Sequence, residues 1–176
     1  MDSQLWVFGY GSLIWDPGFA VAARRIARAE GWHRSFCMRS IHHRGTVAEP
    51  GLVLALDRAA GAICDGVAFA VPPGAEAATL AGLRERELIS SAYLETTLVL
   101  DTADGPVRAL AYVIDPDHGQ YCGGLPLEEQ AQIIARAVGG RGTNRDYLWA
   151  TTTHLTKLGI ADPDLDWLSR RVRDLA

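Results

Sequence analysis

The sequence predicts an α+β fold in a single domain spanning residues 1–176. Two observations carry the fold class: apolar, strand-like runs with one helical segment among them come first, and helical patterns follow. A third carries the single domain, since no internal repeat, low-complexity tract or linker interrupts the chain. Apolar residues make up 48% of the sequence and charged residues 22%, ordinary values for a chain that buries a core. A net charge of −4 gives no general attraction to nucleic acid or to an anionic membrane surface. No apolar run is long enough to span a bilayer and the N-terminus does not read as a signal peptide, so the cytoplasm is the expected location. The three cysteines, Cys37, Cys64 and Cys122, are far apart and contain no Cys-x-x-Cys pair, against zinc or a redox dithiol.

The first strand is expected at Trp6-Val7-Phe8, running into Gly9-Tyr10-Gly11-Ser12-Leu13. Glycines let a backbone approach a ligand without a Cβ in the way, and Tyr10 and Ser12 add hydroxyls. A buried strand ending in a small, donor-rich turn suits an anionic group, although Gly-x-Gly alone more often marks only a strand end. Ile14 to Phe19 reads as a loop, with Pro17 and Gly18 inside it. Ala20 to Glu30 favours helix by its Ala and Arg content yet shows no apolar stripe. Gly31 to Met38 mixes aromatic and polar residues in partial alternation. His42-His43-Arg44-Gly45 is a cationic loop. Gly51–Leu56 and Ala62–Val71 read as two strands of a hairpin joined by Asp57 to Gly61.

Ala75 to about Ile89 is expected to be helical, with Leu80, Leu83 and Glu87 near one face and Glu85 on another. Tyr93–Leu100 and Val107–Ile114 are strands around an Asp104-Gly105 turn. Asp115 to Gly124 is a long polar loop carrying His118 and Tyr121. Pro126 to Val138 is expected as an amphipathic helix stopped by Gly139-Gly140. Asn144 is placed as the N-cap of a helix running through Leu158 to Gly159. Asp164 to Leu175 forms the last helix, with Leu165, Leu168, Val172 and Leu175 as its stripe.

Among the carboxylates, Glu87 stands out because it continues an apolar helical face. Desolvation raises a carboxylate's proton affinity, which suits a group that takes and gives a proton near neutral pH. An ion pair with Arg84 or Arg86 is the alternative role for it. His42 and His43 lack ligand spacing for a metal, and Cys37 lacks a nucleophile turn. Gly9-Tyr10-Gly11-Ser12 is not a dinucleotide fingerprint, because the third glycine is missing and no helix is expected to open after it. Gly139-Gly140-Arg141-Gly142 reads as a cap rather than a phosphate loop.

Taken together, Trp6 to Trp15, Ser40-Ile41-His42-His43-Arg44-Gly45, Pro50-Gly51, Asp65-Gly66-Val67-Ala68-Phe69 and Arg86-Glu87-Leu88 with Tyr93 resemble the ChaC-like γ-glutamylcyclotransferases. The resemblance continues through Gln120 to Leu125, Asn144 to Leu148 and Leu158-Gly159-Ile160, in the family's order and over nearly the whole chain. It implies a small mixed β-barrel with surrounding helices, in which Ala20 to Glu30 enters strand structure against its propensity. It also implies release of 5-oxoproline from a γ-glutamyl compound, typically reduced glutathione with Cys-Gly as the other product, and no metal or organic cofactor. By position, Glu87 matches the catalytic glutamate. Tyr10, Gly11, Ser12 and Leu13 match the substrate-holding turn, and Tyr93 and Tyr121 match tyrosines that line the pocket.

Leu88 replaces the family's usual Met, a change of little consequence for volume. Arg84-Glu85 offers a competing register, but Glu87 stands six residues before Tyr93 and on the apolar face. Arg39, Ser40 and His43 are candidates to read the Cys-Gly half of the substrate. A γ-glutamyl amino acid or γ-glutamylamine is the alternative substrate, and a non-catalytic module binding a γ-glutamyl metabolite is the alternative class.

Overall fold

The computed structural model describes residues 4–88 and 92–176. Five strands close into a mixed barrel in the order β1-β3-β2-β4-β5, with β1 at Trp6–Gly9, β2 at Ala23–Ser40, β3 at Gly51–Ala70, β4 at Tyr93–Thr102 and β5 at Val107–Ile114. The helices are α1 (Ser12–Trp15), α2 (Glu76–Glu87), α3 (Leu127–Arg136), α4 (Asn144–Lys157) and α5 (Pro163–Leu175). The chain forms two compact units, Met1–Arg34 with Leu56–Asp115 and Ser35–Ala55 with Pro116–Ala176.

In the first unit β1 is the buried centre. It pairs antiparallel with β3 (Trp6 opposite Ala70, Gly9 opposite Val67) and parallel with β5 (Trp6 opposite Ala109, Val7 opposite Leu110). Period-2 alternation sends Trp6 and Phe8 into one cluster with Tyr10, Trp32, Leu56 and Leu100. Val7 goes to the other side, with Leu13, Leu83 and Tyr112. The α+β class, the mixed barrel and the strand over Ala20 to Glu30 are as the sequence and the resemblance imply.

Three local expectations in this unit change. Residues from Ser12 to Trp15 form one helical turn directly after β1, where a turn running into a loop was expected. The helical leaning of Ala20 to Glu30 gives way to β2, because Ala27 and Ala29 (each 1% exposed) face the barrel core while Arg28 and Glu30 face out. The supposed hairpin at residues 51–71 is one strand, β3. Its charged middle is accommodated by a neighbour: the Arg58 guanidinium lies 4.7 Å from the Trp32 ring centroid. Helix α2 ends at Glu87 with Leu88 as its cap, and Ile89, to which it was expected to extend, lies outside the described residues.

In the second unit α3, α4 and α5 pack together. Helix α3 stops at Arg136 with Ala137 as its cap. Gly139 and Gly140 do not serve as that cap; they belong to a hairpin whose strands are β6 (Val138–Gly139) and β7 (Gly142–Thr143). A Cβ on Gly139 would lie 2.4 Å from the Gly45 nitrogen, so the hairpin and the His42 to Gly45 loop meet backbone to backbone. The Gly140 and Arg141 amides donate to the His42 and His43 carbonyls at 2.7 and 2.9 Å. Thr143, not Asn144, caps α4, its side chain accepting from the Asp146 amide. Asn144 is fully buried and joins α4 to β3, accepting from the Leu52 N–H at 2.8 Å and donating to its carbonyl at 2.7 Å. Asp162 caps α5, whose Leu165, Leu168 and Val172 are buried.

Replacing Asn144 by alanine strands both Leu52 backbone groups in a dry interior, and each unsatisfied group costs about 1–3 kcal/mol. Asn144→Ala is therefore expected to lower unfolding free energy in urea by about 3 kcal/mol without changing the native circular dichroism spectrum.

Candidate active site

The turn after β1 owes its shape to close packing. A Cβ on Gly66 would lie 2.4 Å from the Gly9 carbonyl oxygen, and one on Gly9 would lie 2.6 Å from the Phe69 ring, so β1 and β3 meet closer than side chains allow. Tyr10 is buried, and its hydroxyl donates to the Tyr112 carbonyl at 2.6 Å. Tyr10 thus anchors the turn with that hydroxyl. The Gly11 carbonyl accepts from the Ile14 amide at 3.0 Å, closing the helical turn. The N–H groups of Gly11, Ser12 and Leu13 find no acceptor among the described residues. Three adjacent donors of this kind suit a carboxylate.

Glu87 closes α2, with its side chain 14% exposed, whereas Glu85 on the same helix is exposed. Arg86 connects it to the turn. Its Nη2 donates to Ser12 Oγ at 3.1 Å, its Nη1 to the Asp16 carbonyl at 2.6 Å, and its Nε lies 3.4 Å from Glu87 Oε1. The ion pair weighed for Glu87 is therefore present, and it holds the carboxylate beside the turn. Leu83, Leu88, Leu13, Tyr93 and Tyr112 share one apolar cluster around this helix end. Tyr93 opens β4 opposite Ile114 of β5.

Behind that cluster lies a polar chain the sequence reading missed. Tyr112 is 2% exposed and donates its hydroxyl to Glu95 Oε1 at 2.9 Å. Arg84 grips the same carboxylate from Nε at 2.9 Å and from Nη2 at 3.0 Å. Hydrogen bonding to Arg84 holds the Glu95 carboxyl below its ordinary range. The Tyr112 phenol is pushed up, first by burial and then by its hydrogen bond to the negative Glu95, with a smaller contribution from Glu87. Arg34 is the other unforeseen residue: buried at 5% exposure, it donates from Nη1 to the Tyr10 carbonyl at 3.1 Å and to the Asp65 carbonyl at 2.8 Å. Its signal was available, since Arg34 lies two positions from both Trp32 and Phe36, on the same face of one strand.

Of the residues singled out from sequence, Tyr10, Gly11, Ser12, Leu13, Glu87 and Tyr93 meet within the first unit. Tyr121 belongs to the second, where it bridges to Met38 of β2. Arg39 and Ser40 also lie there: the Arg39 amide donates to the Gln120 carbonyl at 2.7 Å, and Ser40 Oγ accepts from the Arg44 amide at 2.9 Å. The rings of His42 and His43 are exposed, and Cys37 is buried. Among the described residues no cluster of three or more His, Cys, Asp or Glu is arranged to hold a metal ion.

The architecture defines a barrel protein with a donor-rich turn fastened to a shielded helix-end glutamate. The chain belongs to the ChaC-like protein family, whose sequence model matches residues 5–175. Over 175 residues it is 38% identical to the glutathione-specific γ-glutamylcyclotransferase of Escherichia coli K12, covering 99% of this chain and 75% of that one. It is 34% identical over 169 residues to glutathione-specific γ-glutamylcyclotransferase 1 of Danio rerio, covering 93% and 84%. The crystal structure of a yeast γ-glutamyl cyclotransferase specific to glutathione shares the fold, with a TM-score of 0.88 at 23% identity over 98% of this chain and 97% of that one.

The buried Tyr112 phenol makes stability fall at high pH. Above the ordinary tyrosine pKa of about 10 the unfolded chain has released a proton that the folded chain still holds, so rising pH favours unfolding. Tyr112→Phe is expected to flatten the loss of urea midpoint between pH ~9 and pH ~11; equal slopes in the two proteins would contradict the assignment.

Proposed function

We propose that this chain is a γ-glutamylcyclotransferase, a C–N lyase that converts reduced glutathione to 5-oxoproline and Cys-Gly. The observation that carries the reading is the Arg86 clamp, which binds Ser12 of the turn while pairing with Glu87. The names of the bacterial and animal relatives support glutathione as the substrate.

The reaction is an intramolecular displacement. The α-amine of the γ-glutamyl group attacks its own γ-carbonyl carbon, a five-membered ring closes, and the bond to the cysteine nitrogen breaks. Nucleophile and electrophile belong to one molecule, so the protein's main task is to hold that molecule folded, with reacting atoms about 3 Å apart. The N–H groups of Gly11, Ser12 and Leu13 take the α-carboxylate in this scheme, and Tyr10 fixes their frame. Glu87 accepts the amine proton and passes it to the departing nitrogen. Arg86 keeps the carboxylate from swinging to solvent. Tyr93, in the apolar cluster around the helix end, lines the pocket on this side. The conversion is redox-neutral and transfers no group to a carrier. Its substrate is a small molecule, so neither nucleic acid nor membrane takes part. The proposed place of work is the cytoplasm; among the described residues no helix is long and apolar enough to cross a membrane.

Incubation with reduced glutathione is expected to yield 5-oxoproline and Cys-Gly in equal amounts, with much slower release from γ-glutamyl-alanine. Faster release from γ-glutamyl-alanine would move the substrate to γ-glutamyl amino acids, and binding of glutathione without either product would make the chain a sensor. Glu87→Gln should bind glutathione yet lose at least about 100-fold in turnover, and Glu85→Gln should stay near native. Retained turnover in the first with loss in the second would reverse the assignment.

A further inference from the structure

Arg34 belongs to none of the sequence motifs above, yet its guanidinium is buried on β2 at 5% exposure. Desolvating a guanidinium is costly unless its N–H groups find acceptors. Nη1 finds two backbone carbonyls, of Tyr10 at 3.1 Å and of Asp65 at 2.8 Å. The first oxygen belongs to the peptide joining Tyr10 to Gly11, in the middle of the turn. No cis peptide occurs among the described residues, so this unit is trans and planar, and its carbonyl and its N–H point in opposite directions. Drawing the Tyr10 oxygen toward the buried guanidinium therefore turns the Gly11 N–H away from it. A cationic donor on the carbonyl also polarises the peptide and strengthens that N–H as a hydrogen-bond donor.

We infer that Arg34 is a positioning residue of the cyclotransferase, which orients and polarises the Gly11 N–H for the substrate's α-carboxylate. The inference rests on the proposed function and adds a residue that acts on substrate only through a peptide bond. Lysine at this position keeps a charge, but its shorter stem lacks the planar, rigid fork that sets Nη1 between the two carbonyls, so it holds the Tyr10 carbonyl less precisely.

The test compares glutathione with its α-carboxamide analogue, which lacks the anion, in native protein and in Arg34→Lys. The native protein is expected to prefer the carboxylate strongly. Arg34→Lys should raise KM for glutathione at least about tenfold, change kcat less, and leave turnover of the carboxamide almost unaltered, so that the preference largely collapses. A purely structural role would lower both substrates alike, and an unchanged preference in folded Arg34→Lys overturns the inference. Should that variant fail to fold, nuclear magnetic resonance of the Gly11 amide in Glu87→Gln decides. Glutathione is expected to move that proton downfield more than the carboxamide does, and equal or absent movement overturns the inference. Turnover by the native protein judges the cyclotransferase reading separately, so failure of one is distinguishable from failure of the other.

Discussion

Strand β1 has no exposed edge and no exposed face. It hydrogen-bonds to β3 on one side and β5 on the other, and all four of its residues are buried. A strand held in this way cannot slide by one residue without turning Trp6 and Phe8 out of one apolar cluster and Val7 out of another. The turn that follows inherits that rigidity. Its first residue is fixed twice more, by the Tyr10 hydroxyl on the Tyr112 carbonyl and by Arg34 on the Tyr10 carbonyl. Ring closure within one substrate molecule rewards rigidity above all, because the gain comes from holding two reacting atoms in line.

The glutamate is held by a different kind of contact. Glu87 sits at a helix end, where backbone restraint is weak, and Arg86 supplies the missing restraint by reaching Ser12, Asp16 and Glu87 at once. Behind it, Tyr112, Glu95 and Arg84 form a satisfied polar chain at the rim of an otherwise apolar cluster. Breaking any one link there would leave a charge or hydroxyl without its partner, which is why such chains specify geometry. Precise donors come from the turn that the buried strand fixes, and proton exchange is assigned to a carboxylate tethered by Arg86.

Much of this was legible in the sequence, and the failures have physical reasons. The strand-end turn and the shielding of Glu87 relative to exposed Glu85 could be read because an apolar run, a glycine pair and a helical face are local patterns, whereas the roles proposed for them came from the resemblance. Strand β2 was hidden because its inward positions, Ala27 and Ala29, are small, so its alternation runs between alanine and charge instead of between large apolar and polar residues. The Asp57 to Gly61 stretch imitated a turn because nothing local reveals that Arg58 lies against Trp32 on a neighbouring strand. Asn144 has the composition of a cap, but its amide is matched to the Leu52 backbone, 92 residues away. Arg34 was passed over because its backbone acceptors, on Tyr10 and Asp65, are distant in sequence, although it shares a strand face with Trp32 and Phe36.

The division of labour between turn and glutamate is tested most directly by a crystal structure of Glu87→Gln with glutathione bound. The account predicts the α-carboxylate about 3 Å from the N–H groups of Gly11, Ser12 and Leu13, with the α-amine beside the residue 87 side chain and facing the γ-carbonyl. A γ-glutamyl head bound away from the turn, or an α-amine directed away from residue 87, would contradict it.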